Sequence, residues 1–83
     1  MMKEKLIEYP ILWEYLIFCE NKTMLFKTIN DKFGNLEYQL HDSKQSKNAK
    51  YTSHSFKIMV LNEAQRDEIF AMLREIDGVK FVL

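Results

Sequence analysis

The sequence predicts an α+β domain of order βαββαβ, in which two helices cover one side of a four-stranded antiparallel sheet. Three observations predict it. Residues 51–83 run strand, helix cap, helix, glycine stop and strand with almost no spare residues. Residues 12–42 follow the same order, and a polar stretch, 43–50, joins the two halves. Within each half the apolar spacing switches between a period of two and a helical period.

The elements follow in order. Residues 1–8 are mostly polar, and the segment 1–9 is expected to fray. Pro10 sets an extended entry. Leu12 to Cys19 alternates, with Trp13, Tyr15, Ile17 and Cys19 on one side and Leu12, Glu14, Leu16 and Phe18 on the other. Both sides are largely apolar, as a central strand requires. Thr23 is the expected N-cap of the first helix. Leu25, Ile29 and Phe33 form its stripe, Phe26 widens it, and Gly34 is placed as a left-handed C′ residue. Leu36 to Asp42 alternates again, with Glu37, Gln39 and His41 on its polar side.

Ser43 to Lys50 reads as a long hairpin loop. Tyr51 to Leu61 is the longest strand, with His54, Phe56, Ile58 and Val60 on one face and Ser53, Ser55, Lys57 and Met59 on the other. Asn62 and Gln65 have capping-box spacing at the start of the second helix. Ile69, Phe70, Leu73 and Ile76 form its apolar stripe, each worth about 1.5–3 kcal/mol on burial before entropy is subtracted. Gly78 ends it, and Val79 to Leu83 is the last strand. Right-handed crossovers then place the fourth strand beside the first, giving strand order 4-1-3-2. The expected product is a ferredoxin-like sandwich with one sheet face uncovered.

Composition narrows the function. Eighty-three residues, 47% of them hydrophobic, support one domain, 1–83. The formal net charge is zero, so no global field steers the chain to nucleic acid or an anionic membrane. A lone cysteine, Cys19, excludes an internal disulfide, and with no secretory signal the expected location is the cytoplasm. The longest clean apolar run near the N-terminus, Leu16 to Cys19, is too short for a signal core or a membrane span.

Reactive chemistry finds little support. Cys19, His41 and His54 are metal-capable, but no CxxC, HxxxH or HxxE spacing exists, and strand parity points the two histidines to opposite faces. His54 is expected to be partly buried, His41 solvated and Cys19 a small buried thiol. Thr52, Ser53 and Ser55 lie on a strand with no GxSxG elbow. The first strand–helix connection, Glu20-Asn21-Lys22-Thr23, lacks the glycines and arginine of a phosphate loop. No catalytic residue, metal or cofactor is expected.

Two surfaces remain. Lys44, Lys47, Lys50 and Lys57 give +4 over residues 43–61 with no acid, whereas 62–77 nets −3. The loop residues Lys44, Lys47 and Lys50, with Tyr51 and Ser53, form a candidate site for an anion or an acidic partner; the favoured reading is a soluble hairpin loop, because loop lysines are the default solubility device. The uncovered sheet face is the other surface. Leu12, Leu16, Met59 and Val82 are expected to form an apolar contact patch for another protein or for weak self-association, unless residues 1–9 fold across it. RNA binding through this face would need stacking aromatics, and the third strand offers Ser53, Ser55, Lys57 and Met59 instead.

The run Ser46-Lys47-Asn48-Ala49-Lys50-Tyr51-Thr52-Ser53 resembles the S-K-x-x-K-Y-x-S segment of the YbeD-like small bacterial proteins. Val79-Lys80-Phe81-Val82-Leu83 is similar to that family's V-[KR]-M-V-L ending, and Tyr9-Pro10 followed by Trp13 and Tyr15 is similar to its first strand. The resemblance implies a cytoplasmic bacterial protein of ferredoxin-like fold, similar to ACT-type regulatory domains, with no catalytic residue. ACT-type ligand sites use a glycine-containing loop after the first strand, and this chain departs from that at Glu20-Asn21-Lys22-Thr23. The leading expectation is a non-enzymatic regulatory or protein-interaction domain. The alternative is an ACT-like sensor that binds a small anionic metabolite near Lys47, Lys50 and Tyr51; an RNA-binding module ranks third.

Overall fold

A computed structural model describes residues 8–43 and 51–83. The elements are β1 (Ile11–Cys19), α1 (Lys22–Phe33), β2 (Tyr38–Asp42), β3 (Thr52–Val60), α2 (Glu63–Arg74) and β4 (Val79–Val82). The sheet order is β2-β3-β1-β4, and every pairing is antiparallel. This is the ferredoxin-like arrangement that the element order predicts.

The core lies between the sheet and both helices. Tyr15, Ile17 and Cys19 of β1 and Phe56, Ile58 and Val60 of β3 are buried, as are Leu25, Ile29 and Phe33 of α1 and Ile69 and Leu73 of α2. Phe56 collects aromatic neighbours from three elements: Tyr15 at 6.2 Å, Phe33 at 5.2 Å and Tyr38 at 5.5 Å between ring centroids. Directly opposed residues of antiparallel strands share a face. The Tyr15–Phe56 pairing therefore puts the buried rows of both central strands under the helices.

The helix ends differ in part from expectation. The N-cap of α1 is Asn21, not Thr23: Asn21 Oδ1 accepts from the Met24 N–H at 2.9 Å, so the helix starts earlier. Asparagine is the stronger cap and lies nearer the strand end. Gly34 is not left-handed; its φ of −62° is ordinary helical backbone. A Cβ there would run into the Asn30 carbonyl oxygen, so close approach, and not backbone handedness, requires the glycine. Gly78 does adopt a left-handed φ of 89°. For α2, the Asn62 side chain accepts from the Gln65 N–H at 2.8 Å, while Gln65 Oε1 accepts from the Leu61 N–H at 2.7 Å, one residue outside a strict capping box.

Strand β4 holds the main surprise. Ile17 opposes Val82 and Phe18 opposes Phe81, but Cys19 opposes Val79, leaving Lys80 as an extra residue. This β-bulge reverses the alternation of the last strand. Val79 and Val82 both face the helices, and Val82 is only 6% exposed. Phe81 faces the other way. The expectation that Val82 looks outward is corrected on that ground.

Candidate functional site: the uncovered sheet face and its margins

The face opposite the helices is built by the second register of each strand. Leu12 of β1 directly opposes Met59 of β3, and each is 49% exposed. Further along β1, half-buried Leu16 opposes Ser55, and Phe18 opposes Ser53 across β3. With Val82 turned inward, Phe81 takes its place, 47% exposed and stacked on Phe18 at 4.5 Å. Of the four residues named for the patch, Leu12, Leu16 and Met59 lie on this face and Val82 does not, while Phe18 and Phe81 lie on it as an aromatic pair. Polar groups lie among them: the Ser55 hydroxyl donates to Glu14 Oε2 at 2.6 Å, and Lys57 opposes Glu14 across the strands. A shallow hollow of about 410 Å³ continues the face over Leu36, Glu37, Gln39 and Lys57.

Lys44, Lys47 and Lys50, like residues 1–7, lie outside the described residues. Tyr51 is half-buried, with the Lys80 ammonium 5.8 Å from its ring centroid, and Lys80 also pairs with Glu20 at 3.6 Å. Ser53 is buried at the start of β3.

Beneath that end of the sheet runs a polar chain that sequence reading left as separate residues. Its direction follows from what each group can donate, because an ionised carboxylate only accepts. His54 Nδ1–H donates to Asp42 Oδ1 at 3.2 Å, and His54 Nε2 accepts from the Thr52 hydroxyl at 2.8 Å. The Thr52 oxygen meets Cys19 Sγ at 3.6 Å, and Lys22 Nζ donates to Asp42 Oδ2 at 2.9 Å. His54 is fully buried, not partly so, and Phe26 packs edge-on against it at 5.4 Å. Burial pushes the imidazole below its usual value and outweighs the pull of Asp42. The Lys22 hydrogen bond holds the Asp42 carboxyl below the ordinary carboxylate range. Hydroxyl, imidazole and carboxylate in series have the order of a nucleophile with its base. Here, however, the Thr52 hydroxyl is engaged by both His54 and Cys19, and Cys19 is itself buried. The chain of contacts fastens β1, β2, β3 and α1 together. The signal for it lay in the register: Asp42 opposes His54, and Cys19 opposes Thr52. His41 opposes Ser55 and is exposed, on the opposite face from His54 as parity predicts.

A second feature lies on the helix side, along the flank of β1. Arg66 stacks over the Trp13 ring at 4.8 Å, donates to Tyr9 Oη at 3.3 Å and pairs with Glu63 and Asp67, each at 3.4 Å. Its carbonyl accepts from Tyr15 Oη at 2.6 Å. Burial pushes the Tyr15 phenol up to about 12. Trp13, Glu14, Tyr15, Arg66, Asp67, Phe70 and Leu83 border a cleft of about 410 Å³. No grouping of three His, Cys, Asp or Glu side chains suited to a metal occurs among the described residues, and no helix there is long and apolar enough to cross a membrane.

Comparison with known proteins places this geometry in a family. An uncharacterized protein of Helicobacter pylori is 33% identical over 78 residues, covering 93% of this chain and 90% of its own length. The uncharacterized protein Cj0253 of Campylobacter jejuni is 30% identical over 83 residues, covering 100% of this chain and 93% of its own. The solution structure of protein HP0495 from H. pylori superposes with a TM-score of 0.81 at 31% identity, covering 98% of this chain and 89% of that one. A second solution structure of HP0495 gives a TM-score of 0.68 at 30% identity. The model of the family described as protein of unknown function DUF493 matches residues 4–83, and the chain, as its YbeD-like segments suggest, belongs to that family.

Proposed function

We propose that this chain is a non-enzymatic interaction domain of regulatory type that docks on another protein through its uncovered sheet face. The single observation that carries the reading is the opposed pair Leu12 and Met59, half exposed on the same face as the stacked Phe18 and Phe81. Exposed apolar side chains grouped on one face mark a contact surface more often than a solvated one. Glu14, Ser55 and Lys57 supply polar groups among them, as interfaces commonly do. The fitting test is affinity capture with the wild-type chain and with Leu16→Glu/Met59→Glu, after confirming that the variant is folded. Loss of a discrete partner from the variant is the expected result, and identical partner profiles discard the reading.

A second reading is an ACT-like sensor of a small anionic metabolite. It draws on the Lys80 ammonium over the Tyr51 ring, next to the lysine-bearing segment. A thermal-shift screen of amino acids and phosphorylated metabolites separates the two. A specific shift lost in Lys47→Ala/Lys50→Ala favours the sensor, and a flat screen favours the interaction domain.

A further inference from the structure

We propose that the free half of β1, Ile11–Tyr15, accepts an extended segment of a partner protein as an added antiparallel strand. The segment would place apolar residues in the cleft beside α2 and a basic residue opposite Glu14. The inference goes beyond the sheet-face reading, because it concerns an edge and not a face.

The opening arises from a mismatch in strand length. β1 begins at Ile11, but its ladder with β4 covers only Ile17–Cys19, extended by the reciprocal bonds between Leu16 and Leu83 at 3.0 and 2.8 Å. On that side, Ile11–Tyr15 have no strand partner among the described residues. Backbone direction alternates along a strand. Since Leu16 turns its N–H and C=O toward Leu83, Glu14 and Leu12 turn theirs toward the same open side. Proteins usually guard such edges with several charges or with a bulge. The stretch Ile11-Leu12-Trp13-Glu14-Tyr15 carries one charge, and the bulge lies elsewhere, at Lys80.

The chemistry of the occupant follows from the two sides of that edge. An added strand continuing the line of β4 would oppose Tyr15, Glu14, Trp13 and Leu12 in turn. Its residues opposite Tyr15 and Trp13 would project to the helix side, where Tyr15, Trp13, Phe70 and Leu83 border the cleft of about 410 Å³. The residue opposite Glu14 would lie on the uncovered face beside that carboxylate. Glu14 and Asp67 are the acids that border the cleft, against one cation there, Arg66, which is already paired with Asp67 and with Glu63; on the uncovered face Glu14 opposes Lys57. A basic residue complements that balance. A second copy of this chain fits less well. Pairing the two edges about Trp13 would set the partner's Pro10 opposite Leu16, a position that Leu83 already occupies.

The test is nuclear magnetic resonance titration of the isotope-labelled chain with the synthetic peptide acetyl-Leu-Lys-Leu-Val-Thr-amide. Saturable shifts are expected at the Leu12 and Glu14 amides and at Trp13 and Phe70. N-methylation of the peptide's lysine and valine amides, which would face β1, should weaken binding more than about tenfold, as loss of two hydrogen bonds implies. N-methylation of its second leucine and threonine amides should not. The peptide variants leave the protein untouched, so misfolding cannot mimic the result. Equal effects of the two methylation patterns, absence of saturable binding, or self-association that alone perturbs Leu12 and Glu14 would each overturn the proposal. Leu16→Glu/Met59→Glu should retain the peptide even if the uncovered face proves to have no partner; loss of binding there would place the peptide on the face and refute strand addition.

Discussion

His54 and Asp42 oppose each other across β2 and β3, and their side chains join at 3.2 Å, one fully buried and the other half exposed. The buried imidazole is thereby tied to a carboxylate that solvent and Lys22 both reach.

This pair sets an acid-side pH dependence. The His54 imidazole titrates below its ordinary value in the folded chain, whereas in the unfolded chain it takes up a proton near pH ~6.5. Between those values the unfolded state binds more protons, so stability falls as pH drops below about 6.5. Asp42, also held low, adds to the loss at more acidic pH. Urea midpoints should decrease from pH ~7.5 to pH ~5.5, and His54→Gln should flatten that slope.

Tyr15 sets the opposite limit. Its phenol is held protonated up to about 12, so the unfolded state loses its proton first as pH rises above about 10. Ultraviolet titration should show one tyrosine ionising late, together with unfolding. Tyr15→Phe removes the bond to the Arg66 carbonyl and the late step, and should cost about 1 kcal/mol in denaturant unfolding.

The two last-strand residues Phe81 and Val82 separate surface from core. Val82→Asp buries a charge among Ile17 and its neighbours and should abolish cooperative thermal unfolding. Phe81→Asp loses only the stack on Phe18 and should cost about 1 kcal/mol, leaving the far-ultraviolet circular dichroism unchanged. The reverse ranking would contradict the bulge.

The start of α1 is open to the same kind of comparison. Asn21→Ala removes the acceptor of the Met24 N–H and should cost about 1 kcal/mol by urea denaturation. Thr23→Ala, within the first exposed turn, should stay within about 0.5 kcal/mol.

The legible part of this molecule is the part that periodicity writes. Trp13, Tyr15, Ile17 and Cys19 fall in one register by simple alternation, and Asn62, Gln65 and Gly78 mark the second helix through their own side-chain or backbone chemistry. What stayed hidden depends on relations between distant residues. Val82 was misplaced because one unpaired residue, Lys80, shifts parity, and nothing local in Val79–Leu83 announces a bulge. Gly34 answers a different constraint, the carbonyl of Asn30 one helical turn before it, and a glycine after a helical stripe reads the same in sequence whether it relieves handedness or crowding. The Asp42–His54–Thr52–Cys19 chain required the register of three strands, and the cleft beside Trp13 required knowing that β4 stops short of β1's beginning.

Lys80 shows how much of a surface's character can hang on a single backbone irregularity. Were the ladder regular there, the valine would be displayed and the phenylalanine would sink, and the aromatic stack with Phe18 would vanish from the exterior. The apolar character of this side of the molecule is therefore owed to spacing, and not to amino-acid content alone.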